Sequence, residues 1–181
     1  MSANGTDNAV DTARQIIQVL KDHLDDFLPL FESAHSLTLP APADTSYQVT
    51  SLSAQRIPEV MYETPAIIVG WEQNQAEAMD GRGAYMMSIP YAIIVAFTDS
   101  DVNTDDQSKI QESAQDYATA IGQCVAKHLP PDAQAAGLRV HSAYMLEELV
   151  NEPVYFADED RAPVRTSLVR VEVKQYQSMR G

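Results

Sequence analysis

Residues 84–129 constrain the fold of this chain more than any other stretch, because the side-chain pattern changes period within it. Apolar residues alternate along 84–98, which is typical of a β-strand with one strongly apolar face and one partly apolar face. Residues 99–106 are rich in aspartate and cannot continue a strand. Apolar residues then recur at helical spacing from Ile110 to Leu129. The pattern predicts a long strand, an acidic turn and a long amphipathic helix.

The ends of this helix are marked by capping residues. Thr104 is predicted to be the N-cap, with Gln107 completing a capping box, and Pro130 and Pro131 end the helix. The apolar stripe expected to pack on the sheet comprises Ile110, Tyr117, Ile121 and Val125. Cys124, the single cysteine, falls on the same stripe, so an intrachain disulfide is excluded and a buried small side chain is expected.

The rest of the chain predicts a second helix and several strands. After a flexible leader at residues 1–7, an amphipathic helix is predicted to begin near Asp7 or Asn8 and to be kinked or ended by Pro29. Further strands are predicted at residues 47–53, 138–150 and 164–177. No alternating β-α-β series occurs, so we predict a single α+β domain over 1–181, with a largely antiparallel sheet packed by two amphipathic helices in the order α-β-ββ-α-β-β.

Residues 65–98 are predicted to form one long β-hairpin. The strongest turn signal in the chain lies at its tip, Asp80, Gly81, Arg82 and Gly83, with extended segments on both sides. We expect this polar tip to project from the domain and to act in assembly. Pro90 lacks a backbone N–H, so it favours an edge position or a bulge in the second strand.

The net charge of -14 is the most informative bulk property. Binding to phosphate backbones needs cationic groups, so general nucleic-acid affinity is not expected. The charge fits a solvated acidic surface, or a surface that must not retain DNA passing close to it. No apolar run approaches the roughly 18 to 20 residues needed to cross a bilayer, and residues 1–12 lack the features of a signal peptide, so we expect no membrane association.

The sequence contains no catalytic constellation. Asp99, Asp101, Asn103 and Asp105 alternate as at the start of an EF-hand loop, but Thr104 and Ile110 stand where the glycine and the bidentate glutamate belong. The four histidines are scattered, and His23 and His35 are expected to be exposed or capping residues. We therefore expect no metal, no cofactor and no enzymatic activity.

The order of elements resembles the tail terminator and head-tail neck proteins of tailed bacteriophages. The resemblance is carried by the helix ARQIIQVLKDHL, the strand YAIIVAF with its acidic turn, the helix QESAQDYATAIGQCVAKHL and the last strand RTSLVRVEVKQYQ. It covers nearly the whole chain, although the longer hairpin and the loop at 130–137 depart from the shortest members. The resemblance implies a hexameric ring that caps the tail tube, joins it to the head connector and leaves a channel through which DNA passes without specific binding.

In such a ring, part of the acidic surface is expected to line the channel. The candidates are Asp99, Asp101, Asp105, Asp106, Asp158, Glu159 and Asp160. The protein would then reside in the tail or neck of the virion, and in the host cytoplasm during assembly. Three alternatives stay open. The first is a head-completion (stopper) or sheath-end protein of the same neck; the second, in a different class, is a small α+β dimer that binds a metabolite between sheet and helices; the third is an enzyme.

Overall fold

The computed structural model describes residues 5–51, 63–71, 75–77, 84–129, 139–148 and 164–178, and these confirm an α+β fold. Three α-helices are present in the described part: α1 (Gly5–His23), α2 (Leu28–His35) and α3 (Gln107–His128). The strands are β1 (Tyr47–Ser51), β2 (Ala66–Trp71), β3 (Gln75–Glu77), β4 (Ala84–Thr98), β5 (Arg139–Glu148) and β6 (Val164–Ser178).

The strands form one six-stranded sheet in the order β1-β2-β4-β6-β5, and β3 also pairs with β4. The pairs β2–β4, β3–β4, β4–β6 and β5–β6 are antiparallel, as predicted. Only the β1–β2 pair is parallel among the described strands, with Tyr47 opposite Ile67. The sheet is therefore mixed, and the last strand of the chain lies inside it, between β4 and β5.

Strand β4 is the central strand of the sheet, so the prediction of an edge position at Pro90 is wrong. Pro90 pairs with Glu172 on β6. On the other side of β4, the pairing with β2 and β3 is irregular. Trp71 pairs with Tyr91 and Gln75 pairs with Ser88, so a step of four positions from β2 to β3 matches a step of three positions on β4. The register with β4 therefore shifts by one residue between β2 and β3, which agrees with the predicted bulge.

One face of the sheet packs against α1 and α3, and α2 packs on α3. The odd-numbered residues of β4 from Ile89 to Phe97 lie in the same buried cluster as residues of β2 and β6. Helix α1 contacts β1 and β2, whereas α3 contacts β5 and β6 and also packs on α1 and α2. The predicted stripe on α3 is confirmed, because Ile110, Tyr117, Ile121 and Val125 are all buried in this cluster.

The opposite face of the sheet is also buried at its centre. Ile68 is opposite Ile94, and both are buried, as are Ala66 and Ala96 at the next pair along. Farther out, Arg170 is exposed. This confirms the second, partly apolar face expected from the alternation in β4.

The chain between α1 and β1 is held against α3. Pro29 lies in the first turn of α2, where its missing N–H is tolerated, and a short 3-10 turn at Leu24–Asp26 separates α2 from α1. The backbone N–H of Leu39 donates to Oε1 of Glu32 at 2.6 Å, and the Tyr117 hydroxyl donates to the carbonyl of Pro40 at 2.8 Å. None of the described helices combines the length and the apolar character required to cross a membrane.

Candidate functional site: the acidic turn between β4 and α3

The turn at residues 99–106 connects the central strand to α3 and contains four of the seven acidic candidates. It begins with a loop closed by Asp101, whose Oδ2 accepts hydrogen bonds from the backbone N–H of Thr98 at 2.7 Å and from the Thr98 hydroxyl at 2.9 Å. Val102 is buried at 2% exposure, and Asn103 adopts a left-handed φ of 51°. Asparagine tolerates this conformation better than most residues, so the turn is well matched to its sequence.

Helix α3 is capped by Asp106, and the predicted capping box of Thr104 and Gln107 is wrong. Oδ1 of Asp106 accepts from the Ser108 backbone N–H at 2.9 Å and from the Ser108 hydroxyl at 2.8 Å. These hydrogen bonds, the hydroxyl first, hold the pKa of Asp106 below its ordinary value. Thr104 instead accepts from the Asp106 N–H at 3.2 Å. A carboxylate placed directly before the first turn forms charge-assisted bonds there, which explains why Asp106 takes the position.

Asp99 is paired with Arg165 on β6. Nε of Arg165 donates to Oδ1 of Asp99 at 3.1 Å, and Nη2 donates to Oδ2 at 3.4 Å. The same Nη2 donates to Oε1 of Gln107 at 3.2 Å. The Gln107 side chain that the predicted capping box required is therefore already hydrogen-bonded to Arg165. The Arg165 side chain is only 11% exposed, so it ties the turn and the start of α3 to the sheet.

Asp105 differs from the other three described candidates. It is exposed and makes no hydrogen bond or ion pair with the residues that the structure describes. It lines an open depression of about 410 Å³ together with Asp99, Ser100, Asn103 and Thr104. Of these four carboxylates, that of Asp105 is therefore the one without a contact to the residues that the structure describes.

The remaining candidates lie outside the described residues. These are the acidic loop, Asp158, Glu159 and Asp160, and the hairpin tip, Asp80, Gly81, Arg82 and Gly83. The roles assigned to them stay predictions. The antiparallel pairing of β2 and β3 with β4 does place the two arms of the predicted hairpin side by side.

Two histidine contacts were not foreseen from the sequence. Nδ1 of His35 lies 2.7 Å from Oδ2 of Asp116, a residue on α3 whose side chain is 8% exposed. This hydrogen bond, together with the negative charge of Asp116, raises the pKa of His35. His23 stacks on His128 with ring centroids 3.8 Å apart, and burial, followed by the charge of His23, lowers the pKa of His128. Each pair joins distant segments, so no local signal could have revealed it.

Within the described ranges, no group of three or more His, Cys, Asp or Glu side chains could hold a metal ion. Cys124 is buried, as predicted, and burial raises its pKa to about 12, so the thiol is protonated and a poor nucleophile. The geometry does provide an acidic turn held by its own hydrogen bonds and by Arg165.

No family model matches this sequence, and a comparison with curated proteins finds no match either.

Proposed function

We propose that this protein is a structural component of a tailed-bacteriophage neck, a tail terminator that forms a ring between the tail tube and the head connector. The observation that carries the proposal is the relative direction of the two outermost strands of the described sheet, β1 and β5. Strand β1 runs parallel to β2, and three antiparallel steps from β2 through β4 and β6 reach β5. Strands β1 and β5 therefore run in opposite directions.

This arrangement favours a head-to-tail contact between copies. If each copy is rotated about an axis that lies roughly along the strands, β5 of one copy meets β1 of the next as an antiparallel pair. A head-to-tail contact of this kind generates a ring whenever the rotation closes. By analogy with the family that the sequence resembles, we expect six copies.

The charge of the chain suits a ring that DNA crosses. Each copy carries a net charge of -14, so a closed ring creates a strongly negative field. Duplex DNA carries one negative charge per roughly 1.7 Å of axis and is retained by basic walls that release its counterions. An acidic wall would keep the duplex centred and mobile. Among the described acidic candidates, Asp105 is the best placed to contribute, because its carboxylate is exposed and has no described partner.

Native mass spectrometry of the purified protein at micromolar concentration tests the ring. The expected result is a closed ring of more than two copies, with six copies per ring as the favoured number. A monomer or a dimer that encloses a ligand would contradict the proposal and would favour the metabolite-binding alternative.

A DNA-binding assay at low salt tests the channel, since electrostatic binding is strongest there. The wild-type protein should show no measurable affinity for duplex DNA, and tight binding would refute the acidic lining. Asp105→Lys should create affinity for DNA in the ring. Asp25→Lys, at an exposed position before α2, changes the net charge equally and should create less. If the two variants bound DNA equally well, Asp105 would not belong to the lining of the channel.

A further inference from the structure

The exposed face of α3 is nearly neutral, in contrast to the chain as a whole. The chain has 26 acidic and 12 basic residues. The solvent-facing residues of α3 from Gln111 onward are Gln111, Glu112, Gln115, Thr119, Gln123, Ala126 and Lys127. This set contains one acid and one base. A neutral strip is therefore set into a strongly acidic protein.

The amide side chains of this strip have no structural task in the described part of the protein. Those of Gln111, Gln115 and Gln123 make no hydrogen bond to any residue that the structure describes, and only the Thr119 hydroxyl is engaged, with the carbonyl of Gln115 at 2.8 Å. By contrast, Gln18 on the exposed side of α1 donates to Asp22 at 2.8 Å. Three amides at one- and two-turn spacing along α3 thus present unused donors and acceptors to solvent.

We propose that this face of α3 pairs with α3 of a second copy, antiparallel, about a two-fold axis beside Thr119. Glu112 precedes Thr119 by seven positions and Lys127 follows it by eight. With about 100° of rotation per residue, Glu112 and Lys127 both lie on the same side of a line drawn along the helix surface through Thr119. A two-fold axis perpendicular to the helices then brings Glu112 opposite the partner's Lys127, and the second ion pair forms at the other end.

The contacts within one copy agree with this placement. Glu112 is close enough to His35 on α2 to raise its pKa, as a lesser cause after Asp116. The Lys127 ammonium lies 5.3 Å from the centre of the Phe27 ring, at the N-terminal end of α2. The two charged residues therefore border the α2 side of the face. A parallel pairing would bring Glu112 against the partner's Glu112, so charge complementarity selects the antiparallel arrangement.

A second copy fits this face better than a partner of other chemistry. Two copies repel each other wherever acidic surfaces meet, and the α3 strip lacks that repulsion. Glutamine side chains carry both donors and acceptors, so two such strips are self-complementary, as an isologous contact requires. A basic partner would be drawn to the acidic surfaces instead. This contact uses the helical side of the domain and is independent of the proposed ring, which uses the strands at the ends of the sheet.

Charge-swap variants followed by sedimentation equilibrium test the pairing. Glu112→Lys and Lys127→Glu each place like charges together at both ends, so each should raise the dissociation constant of the dimer by about tenfold or more. The double variant restores opposite charges and should recover wild-type affinity. Asp25→Lys and Arg14→Glu make the same charge changes at exposed positions on the other helical segments and should not reproduce the loss-and-recovery pattern.

Cross-linking provides a second readout on the folded protein. Thr119→Cys should form a disulfide-linked dimer on mild oxidation, because the axis passes beside this residue, while the buried Cys124 stays unreactive. Absence of the cross-link, or a double variant as weak as either single one, would overturn the pairing. If rings form and respond to none of these changes, the α3 pairing is overturned and the proposed function is left intact. If the α3 dimer forms but no rings do, the proposed function is overturned and the α3 pairing is left intact.

Discussion

Ile121 offers the most direct test of how α3 is held on the sheet. Its side chain is fully buried, at 0% exposure, in the cluster that joins α3 to α1 and the sheet. Replacement by alanine removes three carbon atoms from this position, each worth about 0.8 kcal/mol of transfer free energy, or about 2.4 kcal/mol in all. The cavity left behind adds to this cost, so we expect Ile121→Ala to lower the free energy of unfolding by about 2 to 5 kcal/mol.

A graded series of variants makes the test sharper. Ile121→Val should cost about 0.5 to 1.5 kcal/mol, and Ile121→Asp should cost more than alanine because it buries an unpaired charge. Ser33→Ala, at an exposed site on α2 outside the proposed α3 contact, is the control and should stay within about 0.5 kcal/mol. Urea unfolding followed by circular dichroism gives these differences. If Ile121→Ala were as harmless as the control, α3 would not pack as described.

Two further predictions concern titrating side chains at the ends of helices. Asp116 raises the pKa of His35, so this contact stabilises the folded protein fully below the ordinary pKa of 6.5, and the stabilisation is lost as the pH rises through the pKa of the folded state. The variant His35→Ala should therefore lower the free energy of unfolding most in acidic solution. A loss of stability that grows with pH would contradict this. The pKa of Asp106 is lowered, so its helix cap stabilises the folded protein above the ordinary pKa of 3.8, and this stabilisation is lost as the pH falls through the pKa of the folded state. Asp106→Ala should lower the melting temperature near neutral pH, and Asp106→Asn should lower it less. Equal effects of the two variants would show that the side-chain acceptor is unimportant.

The elements that the sequence predicted well are those with a local period. The alternation in β4 and β6 and the 3.6-residue repeat of α3 follow from which side chains must face the core, and the structure places these elements within a few residues of the expected bounds. The error at the N-terminus of α3 is also local. Both Thr104 and Asp106 are good caps; Asp106 takes the position, and Arg165, from a strand far along the chain, binds the Gln107 side chain that the Thr104 capping box required.

The features that escaped prediction depend on contacts between distant segments. Nothing near β1 specifies that it pairs in parallel with β2, and nothing near β6 specifies a place between β4 and β5. The pairs Asp99–Arg165 and His35–Asp116 span 66 and 81 positions. In each pair the two residues belong to different parts of the fold. Their contact is therefore determined by the packing of the sheet and helices and not by the sequence around either residue.

The acidic residues of this protein consequently have different tasks although they look alike in the sequence. Asp101 and Asp106 accept hydrogen bonds from backbone N–H groups, and Asp99 holds Arg165. Removing these three would loosen the turn as well as reduce the charge, so the loss of any function in such variants would not identify its cause. Asp105 contributes charge without a described contact. A change at Asp105 therefore separates the electrostatic role of the turn from its structural role, and the contrast between Asp105 and Asp101 variants would show which of the two the protein needs.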